Sequence, residues 1–340
     1  MKELRVLALC DESLVPPVDW TGKDVANVPW KTEFDVMHTL RELGHEVRVL
    51  GVGGDLGVIR SAISEFKPEI AFNLLEGFAE VATWDQNVVA YLELLRLDYT
   101  GCNSRGLLLS RDKALAKKIL SYHRIRGADF VVIPRKRSVR RPRRLRFPLI
   151  VKSLTLDASI GISQASVVED DAKLVERVRF IHDSIGTDAL VEEYIEGREL
   201  YVGILGNQRL QVLPIWELSF ASMPEESRKI ATERLKWSML YQKKHGIVSG
   251  PAKDLPEALV RQIGSVCKRV YRSLMLSGYA RIDLRLTEDG RVYILEANPN
   301  PQLAFGEDFA ESAEAAGIEY GPLLERILRL GVDWEPTHFG

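Results

Sequence analysis

The sequence predicts an α/β protein that opens on a mostly parallel sheet and continues into mixed α+β segments. Two observations carry this. Over the first hundred residues, apolar runs of strand length alternate with segments of helical spacing, the pattern of βαβ units. Near the C-terminal end, two apolar runs flank an Asp-Gly turn signal, the mark of an antiparallel hairpin.

In order, Leu4–Leu9 is expected to be a buried strand, Glu33–Leu43 a helix that stops at Gly44, and Glu46–Val52 a strand. Ile59–Phe66 is helical up to Pro68, Ile70–Leu75 extended, and Gln86–Leu95 helical. Between them lie Gly51, Gly53, Gly54 and Gly57, whose spacing is not that of G-x-G-x-x-G. No helix is expected to open cleanly after them, so a glycine-rich turn is preferred to a nicotinamide site. A second segment begins with a helix at Asp112–Ser121, then strand Phe130–Ile133 and strand Phe147–Ser153. Between those strands, residues 135–146 hold eight Lys or Arg in twelve, expected to form a solvated loop, with an acidic partner as the sharper alternative. A helix over Asp171–Ser184 and a strand over Ala189–Ile195 follow. The third segment has strands near Tyr201–Leu205 and Leu210–Glu217, a polar stretch at 221–250, a helix near Glu257–Leu276, the hairpin Tyr279–Asn298 and a helical end.

The 340 residues suggest two or three domains, and 46% hydrophobic with 28% charged residues suits a substantial core. A formal charge of −2 gives no global bias toward nucleic acid or an anionic membrane, and no aromatics are interleaved in the basic run. No apolar run approaches the roughly 20 residues of a spanning helix, and the N-terminal apolar stretch is too short for a signal peptide. Cys10, Cys102 and Cys267 are odd in number and far apart, so a reducing cytoplasm is expected and no disulfide framework or zinc site.

The hairpin carries the chemistry. If Asp289-Gly290 is a two-residue loop, Glu288 faces Arg291, Asp283 faces Glu296, and Arg281 faces Asn298. Alternation then puts Arg281, Asp283, Glu296 and Asn298 on one face. Opposed carboxylates repel, and a divalent cation would offset that. Two carboxylates and an amide oxygen are hard ligands suited to Mg²⁺, with Arg281 placed to stabilise a transferring phosphoryl group or an oxyanion. The alternative is a solvated face of alternating charges.

From Gly278 to Pro301 the chain resembles the C-terminal motif of ATP-grasp enzymes, D-alanine–D-alanine ligases in particular, and the similarity extends over most of its length. Phe147–Lys152 resembles the family's central strand with its ATP-binding lysine, and Asp157–Ile162 its small-residue phosphate loop. Leu190–Leu200 resembles its adenine hinge with a ribose-binding glutamate, and Asp112-Lys113 the start of its central domain. The resemblance implies an ATP-grasp fold behind an N-terminal Rossmann-like parallel-sheet domain. The expected divisions are an N-terminal domain at 1–105, a central lid subdomain at 106–190 and a C-terminal catalytic subdomain at 191–340. It implies ATP held by Lys113, Lys152, Ser159, Glu192, Glu193, Tyr194, Ile195, Glu199 and Lys236. It implies Mg²⁺, two ions or Mn²⁺ in their place, on Asp283, Glu296 and Asn298, and catalytic roles for Arg281, Lys236 and Ser159. The implied reaction passes the γ-phosphate to a carboxylate, and an amine then displaces phosphate from the acyl phosphate. Small amino-acid or peptide substrates and a homodimer are the expected partners.

The departures from the family gather at the substrate end. The family's N-terminal loop carries glycines, a Ser and a Glu; here the stretch is Leu9–Pro17, and Glu12 is the candidate to hold an amine. Glu76 stands at the place of the family's His, Trp237 at that of a Tyr, Gln302 at that of a Gly, and Glu307 at that of the Ser that receives a carboxylate. A carboxylate anchors another carboxylate poorly, so Glu76 and Glu307 suit a cationic or amine-bearing group; D-alanine–D-alanine ligase is the closest named activity, with another amino-acid or peptide pair as the equal alternative. Two other classes stay open. One is an ATP-binding module without catalysis. The other is a biotin-carboxylase-like enzyme, although no biotin-carrier segment is recognised.

Overall fold

The structure, a computed structural model, describes residues 2–19, 25–156, 159–220, 228–232 and 246–335. Its first sheet is parallel, in the order β2-β1-β3-β4, from β1 (Arg5–Asp11), β2 (Glu46–Val52), β3 (Ile70–Asn73) and β4 (Asp98–Tyr99). Val6 to Cys10 are all fully buried, as a parallel strand covered on both faces requires. Helices α1 (Lys31–Glu42), α2 (Gly57–Phe66) and α3 (Asp85–Leu95) connect the strands. Contrary to expectation, a helix does open at the glycine-rich turn, starting at Gly57. Because β1 and β3 run in parallel, Asp11 and the turn after Asn73 emerge at the same edge.

Two short helices follow, each started by a side chain that accepts an orphan backbone N–H. Asn103 caps α4 (Ser104–Arg111) through Gly106 N at 2.9 Å, and Asp112 caps α5 (Lys113–Tyr122) through Leu115 N at 2.9 Å. The second sheet is antiparallel, order β5-β8-β6-β7: β5 (Phe130–Ile133), β6 (Leu149–Ser153), β7 (Val167–Val168) and β8 (Ala189–Glu193). Helix α6 (Asp171–Phe180) covers it and widens into a π-helical turn, Ile181–Ile185, that ends at Gly186 with φ 81°. The arginine-rich segment is only partly solvated. Arg141 pairs with Asp171 at 2.9 Å and lies over the Phe147 ring, Arg144 donates to the Phe130 carbonyl, and Leu145 is fully buried. Those arginines strap the loop to the sheet.

The third sheet is antiparallel, order β12-β11-β9-β13-β14, with β10 on β9. Its strands are β9 (Arg198–Leu205), β10 (Gln211–Val212), β11 (Trp216–Phe220), β12 (Ile247–Pro251), β13 (Tyr279–Leu286) and β14 (Val292–Pro299). The single strand expected over 210–217 is two strands, broken around Pro214, whose ring removes a ladder donor. Helix α7 (Glu257–Ser273) buries Ile263, Cys267, Val270 and Tyr271 against this sheet, a helical-period stripe in which each large side chain stabilises by about 1.5–3 kcal/mol. After α8 (Asp308–Ala315), helix α9 (Tyr320–Val332) returns to the first sheet, where Leu323, Leu324, Ile327 and Leu328 share a core with Val6, Ile70 and Phe72. Among the described residues no helix is long and apolar enough to cross a membrane.

The hairpin reaches the expected register by a different route. Its loop has three residues: Gly290 N donates to Thr287 O at 2.9 Å, Thr287 N to Arg291 O at 3.0 Å, and Gly290 takes φ 76°. That alone would displace the pairing by one. A β-bulge between Asp283 and Leu284 takes up the difference, leaving Leu295 as the extra residue. Asp283 therefore faces Glu296 and Arg281 faces Asn298, as expected, while Glu288 does not pair with Arg291.

Beyond β14, Asn300 adopts φ 52° and its Oδ1 accepts from Cys102 N at 2.7 Å, tying the strand end to the turn between β4 and α4. Asn300→Ala leaves that N–H unpaired and removes a residue tolerant of the left-handed region. The expected loss is about 2 kcal/mol, read as a lower urea midpoint with unchanged slope.

Candidate active site

A cleft lies between the second and third sheets. It is lined by Lys113, Lys152, Ser159, Glu192, Glu193, Tyr194, Ile195 and Glu199, and on the hairpin side by Asp283, Leu295 and Glu296. The structure thus gathers most of the residues singled out in the sequence, from four separate stretches, into one space. Lys236 and Trp237 lie outside the described residues, as do Asp157 and Ala158 of the phosphate loop. The described part of that loop has Ser159 at φ 59° and Gly161 at φ 72°, and Arg177 donates to the Gly161 carbonyl and to Ser166 Oγ. A non-glycine residue held in the left-handed region is strain of the kind that clusters at ligand-binding loops.

At one end of the cleft, Glu192 is 2% exposed and its carboxylate is shared by Lys152 at 2.5 Å and Lys117 at 2.7 Å. Burial by itself would raise the Glu192 carboxyl; the two ammoniums outweigh it and hold the group below its ordinary value. The lysines shift in opposite directions. Lys117 falls, because its desolvation outweighs Glu192 while Lys152 repels it. Lys152 is desolvated too, but Glu192, Glu296 and Glu199 together carry it upward. Lys117 was not foreseen. Its helix lies 75 positions before Glu192, and only its place on the buried side of α5 hints at it. The Glu192 carboxylate is thus engaged in orienting Lys152.

The hairpin end is built by strand rows. Arg281 holds Asp283 with both nitrogens, Nε–Oδ1 at 2.8 Å and Nη2–Oδ2 at 2.9 Å, and its guanidinium lies 4.6 Å over the Tyr201 ring. Burial by itself would lower Arg281; the Asp283 carboxylate outweighs that and raises it above its ordinary value. Lys113 Nζ stands 3.9 Å from Glu296 Oε2 and donates to Leu156 O at 2.9 Å. Tyr201 Oη in turn donates to Glu199 Oε1 at 2.9 Å, and Arg285 Nη2 takes Glu199 Oε2 at 2.5 Å. Arg285, Tyr201 and Leu295 are site residues that sequence reasoning missed. The first two lie in line with named residues across β9 and β13, while Leu295 turns into the cleft because of the bulge.

A divalent ion fits this face in its donor chemistry. Among the described residues no three His, Cys, Asp or Glu side chains converge, so the protein's share is two carboxylates and an amide. Asn298 Nδ2 is buried with no hydrogen-bond partner. Turned about its last torsion, the amide would place an oxygen acceptor there, beside the two carboxylates.

The substrate-end residues divide. Glu307 caps the start of α8 without a side-chain bond, and its carboxyl is raised by burial and by Asp308, with Lys31 and Arg281 opposing. Gln302 Nε2 reaches Thr32 Oγ1 at 3.4 Å, and Glu76 is exposed on the turn after β3. Glu12 is not brought to the cleft: it packs against Gly53, where an added Cβ would lie 2.6 Å from its carboxylate.

Residues 115–329 match the family model described as D-ala D-ala ligase C-terminus. The chain is 29% identical over 342 residues to an uncharacterized protein, y4sG, of Sinorhizobium fredii, covering 96% of each. It is 30% identical to a D-alanine–D-alanine ligase of Desulfotalea psychrophila, over 78% of this chain and 79% of that one. The crystal structure of a D-alanine–D-alanine ligase of Bacillus anthracis complexed with ATP superposes with a TM-score of 0.73 at 23% identity, covering 97% of both chains.

Glu192→Gln leaves two buried ammoniums with no full counter-charge, and the expected loss is about 3–5 kcal/mol, seen as a lower melting temperature. Because the folded carboxyl is depressed, its contribution is complete above the ordinary value of 4.5 and is lost as pH falls through the lower, folded value. The gap between wild type and variant should therefore narrow on acidification below that value and stay constant between pH 6 and 8.

Proposed function

We infer the function from one premise: the chain belongs to the D-alanine–D-alanine ligase family of ATP-grasp enzymes. It is an ATP-dependent, ADP-forming ligase that joins a carboxylate to an amine. The observation that carries the reading is the Asp283–Glu296 pair, opposed on one sheet face beside Arg281 and within reach of Lys113. The buried cations around the two carboxylates favour a phosphate-handling site over a solvated face of alternating charges.

The nucleotide's adenine end is assigned to the strand edge Glu193–Ile195, with Leu295 beneath it and the ribose near Glu199. Lys113 and Lys152 meet the phosphates, and the Ser159–Gly161 backbone covers them. Asp283, Glu296 and Asn298 are the residues that would hold Mg²⁺, which would offset phosphate charge. Arg281 holds the Asp283 carboxylate in this structure, so metal at Asp283 draws on a group that Arg281 already orients. The substrate carboxylate attacks the γ-phosphorus beside Arg281, whose guanidinium stabilises the charge on the transferring group and then on the tetrahedral centre formed by the amine. The pair ligated is of amino acids or short peptides. It differs from two D-alanines, because Glu307 stands where the family places a carboxylate-receiving serine.

Release of ADP by the protein with ATP and Mg²⁺ is expected to require an added amino acid or dipeptide, and a broad panel that elicits none removes the reading. Glu296→Gln should keep the melting temperature and lose more than about a hundredfold in kcat; a folded variant with wild-type turnover contradicts the metal assignment. Glu307→Ser should shift preference toward amine substrates with a free carboxylate near it, measured as a change in the ratio of kcat/KM between two acceptors.

A further inference from the structure

Glu33 lies in the first turn of α1 and is 4% exposed, yet its Oε2 has no hydrogen-bond partner. An acid in a helix's first turn is ordinarily stabilised by the unpaired N–H groups there. Here burial outweighs that effect, and the carboxyl is raised to about 7. The charges acting on it are Glu76 and Asp11, both carboxylates and both at the carboxyl edge of β1 and β3, the edge where open α/β sheets bind ligands. Asp11 Oδ1 accepts from Ser13 N and Oγ, two neutral donors. The cation nearest in sequence, Lys31, is committed elsewhere, to Asp35 and to Phe305 O, each at 2.6 Å.

Those last contacts place Glu33 relative to the C-terminal loops. Phe305 N also donates to Asp35 Oδ2 at 2.9 Å, so the N-terminus of α1 is clamped to the loop that carries Glu307. Glu307 is close enough to feel both Lys31 and Arg281, and Glu76 acts on Tyr279 at the start of β13. The acidic group thus borders the end of the hairpin at which the reaction is assigned. A buried carboxylate oxygen without a partner costs free energy that a paired cation recovers, and Glu33 Oε2 sits among further negative charge.

We propose that Glu33, with Asp11 and Glu76, is a recognition site for a cationic side group of the substrate, so that one amino acid ligated is basic. The proposal rests on the ligase reading and names its substrate class. One α-ammonium would balance only part of this charge; a side-chain ammonium or guanidinium in addition balances more. Glu33 acts by binding substrate and takes no part in bond making.

The test compares lysine, ornithine and arginine with norleucine, the neutral counterpart of lysine, each as both enantiomers. Binding is read by calorimetry at pH 7 with Mg²⁺ and ADP present, in two buffers of different ionisation heat, and turnover is read as ADP release from ATP. At least one basic amino acid should bind roughly 10- to 100-fold tighter than norleucine, and Glu33→Gln should bring that ratio toward one by weakening the basic amino acid more than norleucine. Binding to wild type should also expel protons, because a cation lowers a carboxyl that lies near neutrality, and this buffer-dependent heat should vanish in the variant. Asp11→Asn, which keeps its size, should weaken the same preference and serves if Glu33→Gln fails to fold. Equal binding of norleucine and all three basic amino acids, or an unchanged preference in a folded variant, overturns the proposal. Ligand-dependent ADP release with neutral amino acids alone overturns it while leaving the ligase reading intact, whereas no ADP release with any amino acid or dipeptide overturns the ligase reading itself.

Discussion

Asp283 and Glu296 face each other across neighbouring strands, and the cost of that opposition governs the arrangement around them. Two carboxylates a strand spacing apart repel, more so at the edge of a low-dielectric interior. The chain answers with cations from different directions. Arg281 takes both oxygens of Asp283, Lys113 approaches Glu296, and Lys152 stands behind them on the second sheet. Each cation is itself held: Arg281 by the Tyr201 ring, Lys113 by the Leu156 carbonyl, Lys152 by Glu192. The result is an array of charges fixed before any nucleotide arrives, which lets such groups stabilise developing charge without reorganising.

The fold is what makes this array possible. The acidic pair and Arg281 need one sheet face, which the hairpin supplies, while Lys152 and Glu192 need a second sheet packed across from it. Asn300 ties the hairpin to the turn at Cys102 beyond the parallel sheet, and α9 shares a core with both the first and the third sheets. Glu76, at the carboxyl edge of the parallel sheet, is thereby brought near Tyr279 at the start of β13.

Much of this was legible in the sequence, and the exceptions have physical reasons. The parallel sheet was readable because buried parallel strands are continuous apolar runs. The face shared by Arg281, Asp283, Glu296 and Asn298 was also readable, though through two errors that offset each other. A three-residue loop was taken for two, and the bulge at Leu295 restored the pairing. Bulges leave no sequence signal when the extra residue is apolar like its neighbours, so Leu295 was missed as a cleft residue. Glu192 was expected to face the nucleotide; it lines the cleft with its carboxylate on Lys152 and Lys117, and Lys117 was invisible because the contact joins a helix to a strand far along the chain. Glu12 was the acid read near β1, and Glu33 gave no signal, since an acid in a helix's first turn has an ordinary explanation; only its burial and the unpartnered Oε2 set it apart.

The central claim is that the site makes an acyl phosphate from ATP and a substrate carboxylate. The direct measurement uses a substrate labelled with ¹⁸O in its carboxylate, followed by mass spectrometry of the phosphate released. If the carboxylate attacks the γ-phosphorus and the amine then displaces phosphate, one labelled oxygen appears in phosphate for each ADP formed. Phosphate without label, alongside ADP and a ligated product, would contradict the account.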